Sequence, residues 1–322
     1  MRIKNLLITI IMISLAAYGG MKFYVWKKAS SEIDQVFTAF GYGMTAAFGL
    51  NVIADYQYLS VSLFGDVGVK GISIKIPEFN QEITVSEIKL FERDFDIKKG
   101  NLPPRVHILI TGLKMDISLY DKIGESLAKI ERQHNVKEDP NTLIHRLGYQ
   151  EIIRRSNDLR RLGYRNIDMD LELDMSMDIK TQDASLFMRL DFKKLGEYNI
   201  QVKLAGMSDN VNSAVLGVRI KEAKIEFVDK SYINRLIKLY ANENKMSLPT
   251  YRKKLIATIK QDFAQKEIKL SDDTIKNILA FVNKPDKIVF TIYPYRPVAI
   301  ESMKHYKVGD IPRLLNLQAH LK

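Results

Sequence analysis

The chain has 322 residues, 46% of them hydrophobic and 27% charged, a composition typical of a folded protein and not of a disordered one. It contains no cysteine, which excludes disulfide scaffolds, thiol catalysis, cysteine-based zinc sites and lipid attachment through cysteine. The formal net charge is +11, and the excess of basic residues lies in residues 1–28 and 251–322. A basic end suits anionic lipid head groups or simply keeps a protein soluble.

Residues 1–28 have the pattern of a membrane anchor. A short basic head is followed by an uncharged stretch from Leu6 to Met21, and then by aromatic and lysine residues that end at Lys28. A spanning helix needs about 20 apolar residues, and aromatic residues followed by lysines are typical of the membrane interface. We predict an uncleaved transmembrane anchor over 1–28, with a cleaved signal peptide as the alternative. The spacing of apolar residues then predicts a juxtamembrane helix over 29–50.

Residues 51–165 are predicted to form a first unit, in which a sheet is followed by helices. Apolar and polar residues alternate in several segments between Tyr56 and Ile117, which indicates an antiparallel meander of four or five strands. The glycine-rich stretch Gly65–Gly71 follows one strand and enters another, so we interpret it as a hairpin turn and not as a phosphate-binding loop. A helical interval over 119–162 follows and ends near Gly163.

The most regular segment of the chain is Ile167–Lys180, in which apolar and polar residues alternate without interruption. At about 3.3 Å per residue, this period of two predicts a strand of roughly 45 Å with one dry face and one wet face. The strand opens a second unit, 166–322, in which further strands lead to a helical interval over 229–283. A strand over Ile288–Ile292 and a short helix over Ile311–Leu317 complete the predicted elements.

These elements together predict an α+β fold class. It consists of a long, twisted, mainly antiparallel sheet made of two meanders, with helical intervals, after the N-terminal transmembrane helix. Four segments follow from this organisation. They are the anchor 1–28, the juxtamembrane helix 29–50, and the two sheet-plus-helices units 51–165 and 166–322.

The polar side of the long strand carries a row of carboxylates, namely Asp168, Asp170, Glu172, Asp174 and Asp178. Such a row suggests calcium binding or catalytic carboxylates, but same-face side chains on one strand lie about 7 Å apart, too far for a tight cage. We favour the alternative of a wet sheet face on which the carboxylates pair with basic residues of neighbouring strands. The basic residues predicted for this role include Arg189, Lys193 and Lys203.

No arrangement of residues in the sequence predicts catalysis, so we expect a protein that is not an enzyme. The histidines are scattered, and none is spaced three to five residues from another as in a zinc pair. The serines lack the G-x-S-x-G pattern of a nucleophile elbow. We therefore expect no catalytic residue, no metal site and no cofactor. We expect His107 and His145 to be surface groups or locally hydrogen-bonded ones.

Two surfaces are candidates for binding. The apolar side of the long strand, with its adaptable methionines, suits either core packing or an apolar groove for a hydrophobic ligand. The residues of this candidate apolar groove are Met169, Leu171, Leu173, Met175 and Met177. A basic run before the strand is predicted to be helical, and it is either solvated or in contact with lipid head groups or an acidic partner. The residues of this candidate basic surface are Arg154, Arg155, Arg161 and Arg165.

The N-terminal span, a helix and then the meander around Leu59–Ile76, L-S-V-S-L-F-G-D-V-G-V-K-G-I-S-I-K-I, resemble membrane-anchored envelope proteins of Gram-negative bacteria. The groups concerned are the AsmA-like and YdgA-like proteins, and the resemblance covers the anchor and the first meander best. It implies an inner-membrane location with the large domain in the periplasm. For AsmA-like members, it also implies a long curved sheet that handles lipids between membranes.

From the residues and the resemblance, we expect a non-enzymatic protein that binds a lipid or another amphiphile, or an envelope protein partner, and that binds no nucleic acid. The alternative is an assembly or scaffold component of an envelope complex that binds no lipid. An apolar groove left open by the helices would favour the first hypothesis over the second.

Overall fold

The computed structural model describes residues 51–61, 67–91, 104–119, 122, 156–208 and 217–322. The predicted anchor over 1–28 and the predicted juxtamembrane helix over 29–50 lie outside these residues, as does most of the predicted helical interval over 119–162. Among the helices in the described part of the chain, none is long and apolar enough to cross a membrane.

The described residues form a mainly antiparallel sheet with helices, which confirms the α+β prediction at this level. The strands are β1 (Ile53–Asp55), β2 (Tyr58–Val61), β3 (Val67–Ile76), β4 (Gln81–Phe91), β5 (Arg105–Asp116), β6 (Asn166–Asp178), β7 (Asp183–Phe192), β8 (Gly196–Ala205), β9 (Arg219–Asp229), β10 (Lys287–Ile292), β11 (Val298–Ala299) and β12 (Leu317–Leu321). The α-helices are α1 (Ser156–Arg161), α2 (Tyr232–Glu243), α3 (Leu248–Gln265), α4 (Asp272–Asn283) and α5 (Ile311–Leu314). Short 3-10 turns lie at Pro77–Phe79, Ile300–His305 and Val308–Asp310.

The chain divides into two compact units. The first holds the described residues up to 91 together with those between 108 and 170, and the second holds 104–107 and the described residues from 171 onward. In the first unit the strand order is β1-β3-β4-β5-β6, and β2 pairs with β3. In the second unit the order is β5-β6-β7-β8-β9-β10-β12, and β11 pairs with β9.

In the first unit, left-handed glycines reset the alternation of buried and exposed side chains. Val69 and Ile72 on β3 are both buried although they are three residues apart, and Gly71 between them has φ +61°. Glycine adopts this conformation without the steric cost that a Cβ brings. Gly112 on β5 has φ +62°, and a Cβ there would lie 2.2 Å from the Ser86 hydroxyl oxygen on β4. Both glycines are therefore required by the backbone and by the space around it.

Strand β6, Asn166–Asp178, confirms the predicted long alternating strand. It begins after a glycine cap that ends α1: the Gly163 N–H donates to the Arg160 carbonyl at 2.8 Å, and the Tyr164 N–H donates to the Leu159 carbonyl at 3.0 Å. Gly163 has φ +85°, the left-handed conformation that this type of cap needs. The predicted helix end near Gly163 is confirmed.

The same cap corrects one part of the predicted basic surface. The basic run from Arg154 to Arg165 was predicted to be helical, but α1 ends at Arg161 and Arg165 lies beyond the cap, just before β6. The prediction is wrong for Arg165 because the left-handed turn at Gly163 redirects the chain after the helix. Arg154, and Arg155 beside it, lie outside the described residues.

In the second unit, apolar side chains line up across neighbouring strands. Met188 on β7 pairs with Ile200 on β8, which in turn pairs with Ile225 on β9. Toward one end of this face, the Phe227 ring packs edge-on against Phe281 of α4, with ring centroids 5.9 Å apart. Helix α4 therefore covers part of the apolar face of the sheet in the second unit.

Helix α4 also covers the outer edge of β12, the last strand of this sheet. The Ala319 N–H donates to the Thr274 hydroxyl at 3.4 Å, and the Asn277 side-chain amide donates to the Ala319 carbonyl at 2.8 Å. Thr274 is buried at 1% exposure. An unpaired strand edge can pair with another chain, and these two side chains occupy that position on β12.

The C-terminal segment differs from the sequence prediction of a helix over Ile311–Leu317. Helix α5 ends at Leu314, and Asn316 takes a left-handed conformation with φ +47°. Its side-chain amide donates to the Tyr293 carbonyl at 3.1 Å. The chain then becomes β12, whose Leu317 pairs with Ile292 of β10, so pairing with a distant strand replaces the predicted last turn of helix.

Candidate functional site

The acidic row on β6 is paired mainly with β5. The ion pairs are Lys114–Asp168 (3.9 Å) in the first unit, and His107–Glu172 (3.2 Å) and Arg105–Asp174 (2.8 Å) in the second unit. Asp170 accepts the Gly112 N–H at 2.7 Å, and Asp178 accepts backbone N–H groups of the turn that follows. These contacts confirm a paired sheet face. Within the described ranges, no group of three or more histidine and acidic side chains is placed to hold a metal ion.

The prediction for the basic partners of this row is wrong. The three residues named from the sequence pair elsewhere, as Arg189–Glu197 (2.9 Å), Lys193–Asp191 (3.3 Å) and Lys203–Glu222 (3.0 Å). Arg189 and Lys203 pair with carboxylates on the neighbouring strand of the β7–β9 meander, and Lys193, just after β7, pairs with Asp191 near the end of β7. Glu172 adds only a smaller coulombic contribution to the raised pKa of Arg189, whose largest cause is the hydrogen bond to Glu197.

Ion pairs on the polar face of the sheet in the second unit shift the pKa of two carboxyl groups, Asp191 and Glu197. Lys230 lies 2.5 Å from Asp191 and 3.6 Å from Glu197. Partial burial raises the pKa of each carboxyl, but the hydrogen bonds from their basic partners outweigh it and hold both below the ordinary range. Asp229 behaves in the opposite way: burial raises its pKa although it accepts backbone N–H groups at the start of α2. These shifts belong to structural contacts of the sheet.

The candidate apolar groove on β6 is largely interior. Met169, Leu171 and Met177 are 8%, 2% and 5% exposed, and Leu173 and Met175 are half-buried. Three of the five side chains are therefore core residues, and the adaptable methionines serve packing. Ligand binding by this row stays a prediction.

The second unit contains another groove, which lies between α3 and α4 and has a volume of about 640 Å³. We call it the α3–α4 groove. Its residues on α3 are spaced i, i+4, i+7 and i+11, and those on α4 follow the same helical period, so each helix presents one stripe to it. The apolar lining includes Ile256, Ile275 and Leu279, and the basic side chains of the lining are Lys253, Lys260 and Lys276.

Helix α3 contributes an incompletely covered apolar stripe. It is 18 residues long and has no buried residue, and its Ile256, Ile259 and Phe263 side chains are only half-buried. A surface helix normally buries an apolar stripe against the core. Its start is well defined, because the Ser247 hydroxyl accepts the Thr250 N–H at 3.3 Å at its N-cap. The helix is thus well formed locally, while its apolar stripe remains partly open.

Contacts at both ends hold this helix pair in place. The Arg252 guanidinium of α3 donates to the Asn283 carbonyl at the end of α4 and to the Asn234 side-chain oxygen of α2. After α3, Lys269 lies 2.5 Å from Asp310 in the C-terminal segment. Arg252 therefore joins α3 to α4 at one end of the α3–α4 groove, and Lys269 joins the connection between the two helices to the C-terminal segment.

The lysines of the groove are available to an anionic ligand. Among the residues that the structure describes, no carboxylate lies within ion-pair distance of Lys253, Lys260 or Lys276. Among the described residues of the lining, Asp272 at the N-terminal end of α4 is the only acidic one. Lysine can lay its methylene stem along apolar surface while its ammonium group stays in water. The groove therefore combines apolar contact with positive charge, the two features that an anionic amphiphile requires.

Comparison with known proteins adds one match. A family described as "Uncharacterized protein" matches residues 189–322, a segment that contains α2, α3 and α4 and the whole α3–α4 groove. No curated protein matches the chain.

The α3–α4 groove was not predicted from the sequence. The signal was present on α3, where Lys253 and Lys260 flank Ile256 on one helical face instead of the opposite face. A helix that packs fully on a core keeps its charged residues away from the apolar stripe. Basic residues inside the stripe indicate that the stripe stays accessible to water.

Proposed function

We propose that the chain is a non-enzymatic, single-pass inner-membrane protein that binds an anionic amphiphile in the α3–α4 groove. In this proposal the segment 1–28 anchors the chain, and the large domain lies in the periplasm, as expected from the resemblance to AsmA-like and YdgA-like proteins. The ligand is a lipid with an acyl chain and an acidic head group. The observation that carries the proposal is the apolar groove lined by three lysines.

The chemistry of the groove supports a lipid over a small polar anion. Its volume of about 640 Å³ lies within the roughly 300–1,000 Å³ that is usual for ligand pockets. The apolar side chains Ile256, Ile275 and Leu279 offer an acyl chain a surface that excludes water. The lysine ammonium groups sit where a carboxylate or phosphate head group would need a counter-charge. Three of the five side chains of the candidate apolar groove on β6 are core residues, which favours the α3–α4 groove as the binding site.

The second candidate function is that of an assembly or scaffold component of an envelope complex. The observation that favours it is the absence of any buried residue in α3. An amphipathic helix of another protein can lay its apolar face into a groove between two helices. In this case the α3–α4 groove takes a protein segment and no lipid, and the two functions differ in what copurifies with the chain.

A charge-removal experiment tests the proposal. The full chain in a neutral detergent is titrated with a fluorescent fatty acid that carries a carboxylate, and the wild type is compared with Lys253→Ala/Lys260→Ala. A basic residue near an anionic head group contributes up to about 1 kcal/mol, so removing two should weaken binding about 5- to 30-fold. The matched control is Lys254→Ala/Lys266→Ala, which removes two exposed lysines from α3 and its cap outside the groove lining.

The control should bind the probe as tightly as the wild type. If both double variants weaken binding equally, the probe responds to the overall charge of the helix. That result would contradict a site in the α3–α4 groove. If the wild type does not bind the probe at all, the amphiphile proposal fails and the scaffold function takes its place.

A further inference from the structure

The connection between β10 and β11 departs from the sheet in an unusual way. Both strands pair with β9, Ile292 with Ala223 and Val298 with Ile220. Between these two pairs, β9 covers three residues, from Ile220 to Ala223, whereas the segment opposite it covers six, from Ile292 to Val298. The intervening sequence Y-P-Y-R-P therefore loops out of the ladder. Its two prolines have no N–H with which to rejoin it.

This excursion displays two tyrosines in a defined position. Tyr293 is 64% exposed and Tyr295 is 94% exposed, while Pro294 between them is buried. The backbone of Tyr293 is held from both sides, because its N–H donates to the Leu315 carbonyl and its carbonyl accepts from Asn316, both at 3.1 Å. The side chains are therefore presented to solvent by a braced backbone. Ordinary packing does not explain the almost complete exposure of Tyr295.

Further basic and apolar side chains are exposed in the residues that follow. Arg296, Lys304 and Lys307 are exposed, and Glu301 is the only acidic residue between 293 and 307. Ile300 is 49% exposed and Tyr306 is 42% exposed. We call residues 293–307 the tyrosine segment. It concentrates exposed aromatic and apolar groups together with positive charge.

We propose that the tyrosine segment is a contact surface for an anionic lipid bilayer. Tyrosine favours the membrane interface because its ring is apolar and its hydroxyl remains hydrated. Arginine and lysine beside it are attracted to the acidic head groups of such a surface. This contact needs neither the N-terminal span nor the α3–α4 groove, so its failure would leave the proposed function standing.

A site-directed label measures this contact directly. The chain has no cysteine, so a single substitution gives a uniquely placed spin label. The full chain carrying Tyr295→Cys is reconstituted into vesicles of phosphatidylglycerol and phosphatidylcholine or of phosphatidylcholine alone. Accessibility of the label to a water-soluble paramagnetic relaxant is then measured. The control is Ile179→Cys, which labels an apolar side chain that is 53% exposed at the end of β6.

We expect the label at 295 to be shielded in the anionic vesicles and accessible in the neutral ones, and the label at 179 to be accessible in both. Adding Arg296→Ala should lower the equilibrium constant between the membrane-shielded and the water-accessible state of the label by about fivefold, the effect of one basic residue at an anionic surface. Equal accessibility at 295 in the two lipids would overturn the proposal and leave the tyrosines to a protein partner. Equal shielding at 295 and 179 would also overturn it, because the tyrosine segment would then have no special role.

Discussion

The attachment of α3 to the second unit depends on Arg252, and the substitution Arg252→Ala tests this dependence. The guanidinium bonds a carbonyl at the end of α4 and the Asn234 side chain on α2, so one residue connects three helices. Because α3 has no buried residue, it has little apolar burial to retain it once these bonds are lost. We expect α3 to open locally in the variant while the sheet stays folded.

The expected magnitude follows from the two bonds. A hydrogen bond from a charged donor contributes about 1.5–3 kcal/mol. Because Arg252 is half-exposed and solvent screens its charge, each of its bonds contributes an energy at or below the lower limit of this range. The loss of a cation at the C-terminal end of α4 adds a few tenths of a kcal/mol. The sum is about 1.5–3 kcal/mol, which corresponds to a roughly 10- to 150-fold change in the opening equilibrium of α3.

Amide hydrogen exchange resolves this opening from global unfolding. Protection of the α3 amides should fall by about 10- to 150-fold in Arg252→Ala, and protection of β8 and β9 should not change. Arg252→Lys should fall between the variant and the wild type, because one ammonium group cannot reproduce the fork of the guanidinium. Unchanged protection of α3 would refute the reasoning. An equal loss of protection in α3 and in the sheet would refute it as well, since α3 would then not open independently.

Three further substitutions test the described contacts. Gly112→Ala should lower the free energy of unfolding by at least about 1–2 kcal/mol, the cost of a left-handed conformation for a residue with a Cβ, as measured by urea denaturation. Thr274→Val should cost about 1–3 kcal/mol and speed exchange of the Ala319 amide, because that N–H loses its partner. In Lys287→Met, the free energy of unfolding should fall less steeply than in the wild type as the pH is lowered. The Lys287 hydrogen bond holds the pKa of Glu226 below its ordinary value, so the stability that this carboxylate contributes above its unfolded pKa is lost as the pH falls through its folded pKa.

Each of these has a matched control. Gly163→Ala places a Cβ at a left-handed position with open space around it, so it should cost less than Gly112→Ala. Equal costs would show that the close approach to Ser86 has no effect. Thr274→Ser keeps the hydroxyl and should preserve the protection of β12, and equal exchange in the serine and valine variants would refute the role of that hydroxyl. For Lys287→Met, an acid-unfolding curve parallel to that of the wild type would contradict the role of the Lys287–Glu226 hydrogen bond in the pH dependence of stability.

Regular periodicity carried most of the fold that the sequence could predict. The unbroken alternation over Ile167–Lys180 predicted β6, because every second side chain faces the same side of a strand. Gly163 predicted the end of α1 because a glycine readily takes the left-handed conformation that caps a helix, which depends on this residue alone. Elements of this kind depend on neighbouring residues alone, and a single sequence contains them in full.

Features that depend on distant partners were harder to predict. Leu317, the first residue of β12, was predicted to end a helix, and no strand was predicted after it, because its extended conformation comes from pairing with the distant Ile292. The predicted partners of the acidic row were wrong because β6 also lies beside β5, and the basic side chains that pair with the row come from β5 and not from the β7–β9 meander. Both errors concern pairing between segments, and local periodicity has no information on it.

The candidate site shows the same division. The methionines of β6 were correctly placed on the apolar side of a strand, but their burial depends on what packs against that side. The α3–α4 groove arises from the incomplete packing of two helices, which no single helix reveals. The lysines within the apolar stripe of α3 were the one local sign of it.

The most direct test of the proposed function is to identify what the purified protein carries. The full chain is extracted from bacterial membranes in a neutral detergent, examined by native mass spectrometry, and its bound lipids are extracted and identified. We predict a near-stoichiometric anionic acyl lipid on the wild type and on Lys254→Ala/Lys266→Ala, and its loss from Lys253→Ala/Lys260→Ala. A ligand-free mass for the wild type, or the same lipid retained by the groove variant, would contradict amphiphile binding in the α3–α4 groove.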